Sequence, residues 1–254
     1  MNLSEKTGAL LSPVAPVPKV VRAAIAVIGV GGWFFTQSLL ASRGFPAGIG
    51  DGLHILLSPL TDWLAVHKAA ADLLLIVTSG VIDDLLGCFL LIRGVTSPTV
   101  RPLLGLALLF SLRQLCQALV ALPAPPQMIW RHPGFPSLLV TYQTGNDFFF
   151  SGHTAIAVYG AIELSRYRRP WLKVTAVLIA TIEALTVLVL RAHYTMDVLT
   201  AILAAICASS FAARLAHSCD RKLAVWSLRA ASQCNRTKYR GRERTSALTW
   251  TLKV

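Results

Sequence analysis

Charged residues are scarce in this chain. Asp, Glu, Lys and Arg make up 14% of its 254 residues, against roughly 25% in soluble domains, while 54% are hydrophobic and the mean hydropathy is +0.59. So little charge cannot cover an ordinary soluble domain, which excludes that class. Acids are scarcer still, 12 Asp and Glu against 24 Lys and Arg, for a net charge of +12. The five cysteines show no paired spacing, which argues against a disulfide scaffold or a zinc site, and no internal repeat is present. Residues 1–19, with Pro13, Pro16 and Pro18, read as a disordered cytoplasmic N-terminus. The apolar run after them is too long for the core of a cleaved signal peptide and predicts a retained first helix.

What the chain has instead is long apolar runs. At about 20 residues per crossing of a hydrocarbon layer of about 30 Å, six candidates emerge: 20–41, 69–92, 102–122, 149–165, 171–191 and 196–218. The expectation is an all-α integral membrane protein, a bundle of six transmembrane helices over 20–218, followed by a basic cytoplasmic tail, 219–254. The fourth run is the shortest and needs Phe148 to Phe150 to reach across. Most basic residues fall on one set of flanks: Lys19 and Arg22, Arg93 and Arg101, Arg166 to Lys173, and the tail from Arg214 onward. The positive-inside rule then puts both termini in the cytoplasm. This accounts for the net charge without nucleic acid, and the tail can also lie on anionic lipid.

Ionisable groups inside a span are costly and mark functional candidates. Asp83, Asp84, Arg113 and Glu183 stand there, either pairing to hold the bundle together or facing substrate. Glu163, near a cytoplasmic end, can reach Arg166 or Arg168. His54, His67 and His132 read as interfacial residues.

Two stretches carry the chemistry. "NDFFFSGHT" places His153 after Ser151 and Gly152 at the start of the fourth span, and "RAHYTMDV" places His193 at the start of the sixth. Both spans run inward, so both histidines belong at the non-cytoplasmic end. If the sixth helix begins near His193, then His193 and Asp197, four apart, share a helical face, and the carboxylate can orient the ring and leave its other nitrogen free to attack. His153 can serve as general acid and base. Ser151 and Gly152 at a helix start offer amides and a dipole end to a phosphate. His-x3-Asp could be half of a metal site, but the sequence offers no second ligand cluster, so no cofactor is expected. These parts describe phosphoryl transfer through a phosphohistidine.

At these residues the sequence resembles the type 2 phosphatidic acid phosphatase superfamily, and more closely its lipid transferase branch: the sphingomyelin synthases and the plant phosphatidylcholine:diacylglycerol cholinephosphotransferases. "DFFFSGHT", with Asp147 six before the histidine, and "HYTMDV" are similar to blocks of the former. "RQLCQALVALPAPP" from Arg113, "RAHYTMD" with Arg191 two before the histidine, and "GFP" at 134–136 resemble the plant enzymes. The resemblance implies His193 as nucleophile assisted by Asp197 and His153 as acid and base. Ser151, Gly152, Asp147, Arg191 and Arg113 are the candidate substrate-binding residues, with Asp147, Phe148 and Trp130 as candidates to meet the choline. Two basic positions of the phosphatases proper are missing, since Gly94 stands seven before Arg101-Pro102 and Val187 six before His193. That argues against a phosphate monoester, whose dianion needs such a clamp. The expected activity moves phosphocholine from phosphatidylcholine to a lipid alcohol, diacylglycerol or ceramide, on the lumenal or exoplasmic side, in the endoplasmic reticulum or Golgi of a eukaryote. A lipid phosphate phosphatase and a non-enzymatic lipid transporter are the alternatives.

Overall fold

The computed structural model describes residues 17–40, 49–134 and 148–251, and all of its regular structure is helical. Asp147 lies outside the described residues, as does most of the "GFP" stretch. In chain order the elements are α1 (Lys19–Leu40), α2 (Gly52–Val66), α3 (Lys68–Leu75), a π-helical segment (Ile76–Asp83), α4 (Asp84–Thr96), α5 (Arg101–Leu119), α6 (Gly152–Ser165), α7 (Pro170–Val189) and α8 (Thr195–Thr251). Prolines open α5 and α7, where a missing amide costs nothing.

Five stretches are long and apolar enough to cross a membrane: Lys19–Leu39, Lys68–Thr96, Arg101–Leu119, Pro170–Val189 and Thr195–Arg229. The fourth expected span is cut back. Helix α6 has 14 residues, about 21 Å at 1.5 Å per residue, because Ser151 caps it and the phenylalanine lead-in stays outside the helix. The carbonyls of Phe148 and Phe150 are instead taken by side chains of the site, His193 and Arg113.

Two further elements differ from expectation. Helix α2 was not expected; it is 15 residues long with Pro59 inside. Helix α8 runs past 218 to Thr251. Its extension contains no proline and a single glycine, Gly241, and Asp220 ties it to the α4–α5 connection by accepting from the Val100 amide (2.8 Å) and the Thr99 hydroxyl (2.6 Å).

Packing follows membrane rules. Lipid supplies no hydrophobic drive between helices, so close approach through small residues does the work. Ala201, Ala204, Ala205 and Ala208 of α8 meet Leu109 of α5 and Ala155 and Tyr159 of α6. Gly105 lies so close under the Tyr159 ring that any side chain there would collide with it. Outward faces carry exposed Val27, Ile28, Leu85, Ile92, Val177 and Leu203. At the C-terminal end of α6, buried Glu163 pairs with Arg101 (2.7 Å) and Arg166 (3.1 Å), so its partners include one from another helix.

Candidate active site

The turn between α7 and α8 carries His193. Helix α7 ends in a Schellman motif: the Ala192 amide donates to the Val187 carbonyl (2.8 Å) and the Arg191 amide to that of Leu188 (3.1 Å). The left-handed position is Arg191, at φ 52°, where glycine is usual and another residue costs about 1–2 kcal/mol. Its guanidinium compensates with four bonds, donating to the Pro126 carbonyl (3.0 Å), Gln127 Oε1 (2.8 Å), the His54 carbonyl (3.1 Å) and Ser58 Oγ (2.7 Å). Arg191 is therefore a brace for the turn, tied to α2 and to the Pro126–Gln127 bend.

Helix α2 holds the same turn from the other side. His54 Nε2 donates to the His193 carbonyl (2.9 Å), and Thr61 Oγ1 to that of Val189 (2.8 Å). Expected at the interface, His54 is instead buried and stacked on Tyr194. Exposed His67, by contrast, rests on Trp63.

The helix that follows is capped twice. Asp197, in its first turn, accepts from the Tyr194 amide (2.9 Å), the return half of a capping box. Asp51, which caps α2 through Leu53 and His54 (2.9 and 3.2 Å), also accepts from the Thr195 amide and hydroxyl. Burial by itself raises the Asp51 carboxyl, but the hydrogen bonds from Thr195 and His54 outweigh it and hold the group below its ordinary 3.8.

These ties fix the His193 ring. Its Nδ1 is 3.0 Å from the Phe148 carbonyl and 3.7 Å from Asp197 Oδ2. A carbonyl only accepts, so Nδ1 carries the proton and Nε2 the lone pair. The orienting group in direct contact is thus a backbone carbonyl, with the Asp197 carboxylate behind it. No sequence pattern points to such an acceptor.

Helix α6 brings the second histidine. Ser151 accepts from the Thr154 amide (3.2 Å) as N-cap, and its own amide donates to the Asp197 carbonyl (3.3 Å), joining the starts of α6 and α8. Arg113 reaches across from α5 to donate to the Phe150 carbonyl (2.9 Å). A Cβ on Gly152 would stand 3.3 Å from Arg113 Nε, so glycine lets the guanidinium lie against the helix start. The His153 and His193 rings are 5.9 Å apart between centroids. Trp130 stands edge-on to His153 at 4.9 Å.

Asp83, at the end of the π-helical segment, places Oδ2 3.5 Å from His153 Nε2. A π turn shifts the helix register and often marks a functional position. Each histidine thus has a carboxylate within 4 Å, and the close neighbour of Asp83 is His153, not Arg113. Glu183 of α7 is fully buried, neither of its oxygens has a hydrogen-bond partner, and it is an electrostatic neighbour of Asp83. His153, His193, Asp197, Ser151, Gly152 and Arg113 come together here, whereas Arg191 faces α2.

Two imidazoles, one with a fixed free nitrogen and one beside a carboxylate, next to a guanidinium and a helix N-terminus, can pass a phosphoryl group and the proton that goes with it. No curated protein and no solved structure matches the chain. The family model AtPDCT1/2 matches residues 54–214, which contain every one of these described site residues. From His54 on α2 to Arg214 within α8, the match runs over most of the chain, which belongs to the phosphatidylcholine:diacylglycerol cholinephosphotransferase (AtPDCT1/2) family of lipid phosphotransferases.

Proposed function

We propose that this chain exchanges phosphocholine between phosphatidylcholine and diacylglycerol through a phosphohistidine at His193. The observation that carries the reading is the approach of the His153 and His193 rings to 5.9 Å, each with a carboxylate beside it. His193 Nε2 attacks phosphorus, forming an N–P bond as the O–P bond to diacylglycerol breaks. His153 gives its proton to the departing alkoxide and later takes one from the incoming hydroxyl, which attacks phosphorus and releases His193. Asp83 positions His153, and the Phe148 carbonyl with Asp197 positions His193. Arg113 and the open amides of Gly152 and His153 face the phosphate. Ser151 acts as cap and Arg191 as brace. Asp147, Phe148 and Trp130 are assigned to the choline. Arg191 is taken up by protein acceptors and so supplies no clamp for a monoester dianion, which favours a phosphodiester.

In this reading residues 20–218 form a six-span catalytic unit with α6 as a short, buried sixth crossing. Both termini and the 219–254 tail are cytoplasmic, and the site opens on the lumenal or exoplasmic side. The likeness to the type 2 phosphatidic acid phosphatases and sphingomyelin synthases rests on the two histidine motifs. The test uses purified protein with choline-labelled phosphatidylcholine and a diacylglycerol of distinct chain length. Labelled phosphatidylcholine bearing the new chains is expected from the wild type, none from His193→Ala, and a much reduced kcat from Asp83→Asn. Free phosphocholine as the main product, or full activity of His193→Ala, refutes the reading.

A further inference from the structure

A groove of about 480 Å³ runs between α1, α4 and α5, outside the histidine site. Its volume falls within the roughly 300–1,000 Å³ of small-molecule sites. Along α1 its lining extends from Ile25 to Thr36, about 17 Å at about 1.5 Å per residue. One leaflet's hydrocarbon is about 15 Å thick, half of a core of about 30 Å. The groove therefore has the length of a single acyl chain.

Its two ends differ. Ile25, Leu91 and Leu103 make the deep end wholly apolar, while Trp33, Thr36 and Gln114 gather at the end nearer the C-termini of α1 and α5. Trp33 Nε1 and both amide atoms of Gln114 are shielded from solvent and lack a hydrogen-bond partner. Shielded amide and indole groups in a hydrocarbon setting need a ligand to satisfy them. They are uncharged, so they suit a hydroxyl or ester carbonyl rather than a phosphocholine. The groove also reaches the helix of the reaction site, because Ile156, one turn beyond Gly152 on α6, is part of its lining.

We infer that this groove holds an acyl chain of the neutral acceptor, diacylglycerol, with Trp33 and Gln114 engaging its glycerol end before the hydroxyl moves to His153. The assignment of the occupant as acceptor rests on the transfer reading above. Gly29 and Gly32 line the groove, and a Cβ on either would meet no atom within 4 Å. Leucines there would start from open space and extend into the groove, and they favour the helix over glycine.

The experiment embeds the full chain in phosphatidylglycerol nanodiscs with a diacylglycerol bearing a photoactivatable group in one acyl chain, and maps labelled peptides by mass spectrometry. Saturable labelling of α1 and α5 is expected, displaced by unlabelled diacylglycerol but not by equal phosphatidylcholine. It is expected to be retained in His193→Ala and lost in Gly29→Leu/Gly32→Leu, with weaker labelling in Gln114→Leu. Labelling that nothing displaces, that phosphatidylcholine displaces equally, or that persists in the double leucine variant overturns the inference. The readout needs no turnover, so absence of transfer with labelling intact removes the catalytic reading and leaves the groove as a neutral-lipid site.

Discussion

Replacing Asp51 with alanine strips the acceptor from four donors at once: the amides of Leu53, His54 and Thr195 and the Thr195 hydroxyl. Two helix starts lose their cap, α2 with His54 and α8 with Asp197. At about 1 kcal/mol per cap the loss is about 2 kcal/mol. At 2–4 °C per kcal/mol for a domain of this size, that lowers the Tm by about 4–8 °C. Thr195→Val removes the hydroxyl donor alone and is expected to cost about 1 kcal/mol. Thermal unfolding in detergent, followed by tryptophan fluorescence, measures both. Because the Asp51 carboxyl is held below its ordinary 3.8 in the folded protein, the unfolded chain takes up the proton first as pH falls. The contribution is therefore complete above about pH 4, and wild type and Asp51→Ala should converge in Tm as pH drops through and below that range. Equal Tm values at neutral pH, or a gap that widens in acid, would refute the role given to this residue.

Two more outcomes separate the site from its frame. His54→Phe keeps the ring stacked on Tyr194 but leaves the His193 carbonyl without its donor; kcat in the transfer assay is expected to fall about 10²-fold, the scale of an ångström-level displacement of a reacting group, and unchanged kcat would dismiss the clamp. Glu163→Ala leaves Arg101 without its buried partner at the far end of α6, so about 3–5 kcal/mol of stability is expected to go, read as a lower Tm, while kcat of the surviving folded protein stays at the wild-type value.

Local chemistry in the chain determined a good deal. Apolar runs placed five helices that are long and apolar enough to cross a membrane, to within a few residues at most ends, since length and hydropathy are properties of a segment by itself. The spacing of His193 and Asp197 announced that the two would meet, and they do at 3.7 Å, although α8 begins at Thr195 and leaves His193 in the turn before it; Ser151, expected to bind phosphate, caps α6. Glycine before His153 was legible only as part of a motif; its reason, the Arg113 guanidinium against the helix, is a contact between α5 and α6.

The tertiary structure decided what depends on long-range neighbours. Helix α2 escaped notice because Pro59 and Asp62 interrupt a short apolar run, and it gains its meaning by gripping a turn more than a hundred residues away. His54 looked like an ordinary interfacial histidine until the His193 carbonyl appeared beside it. Asp83 could have belonged to Arg113 or to substrate, and the π-helical register turned it to His153. The phenylalanine lead-in to α6, expected within the fourth span, stays out of the helix, with the Phe148 and Phe150 carbonyls bound by His193 and Arg113.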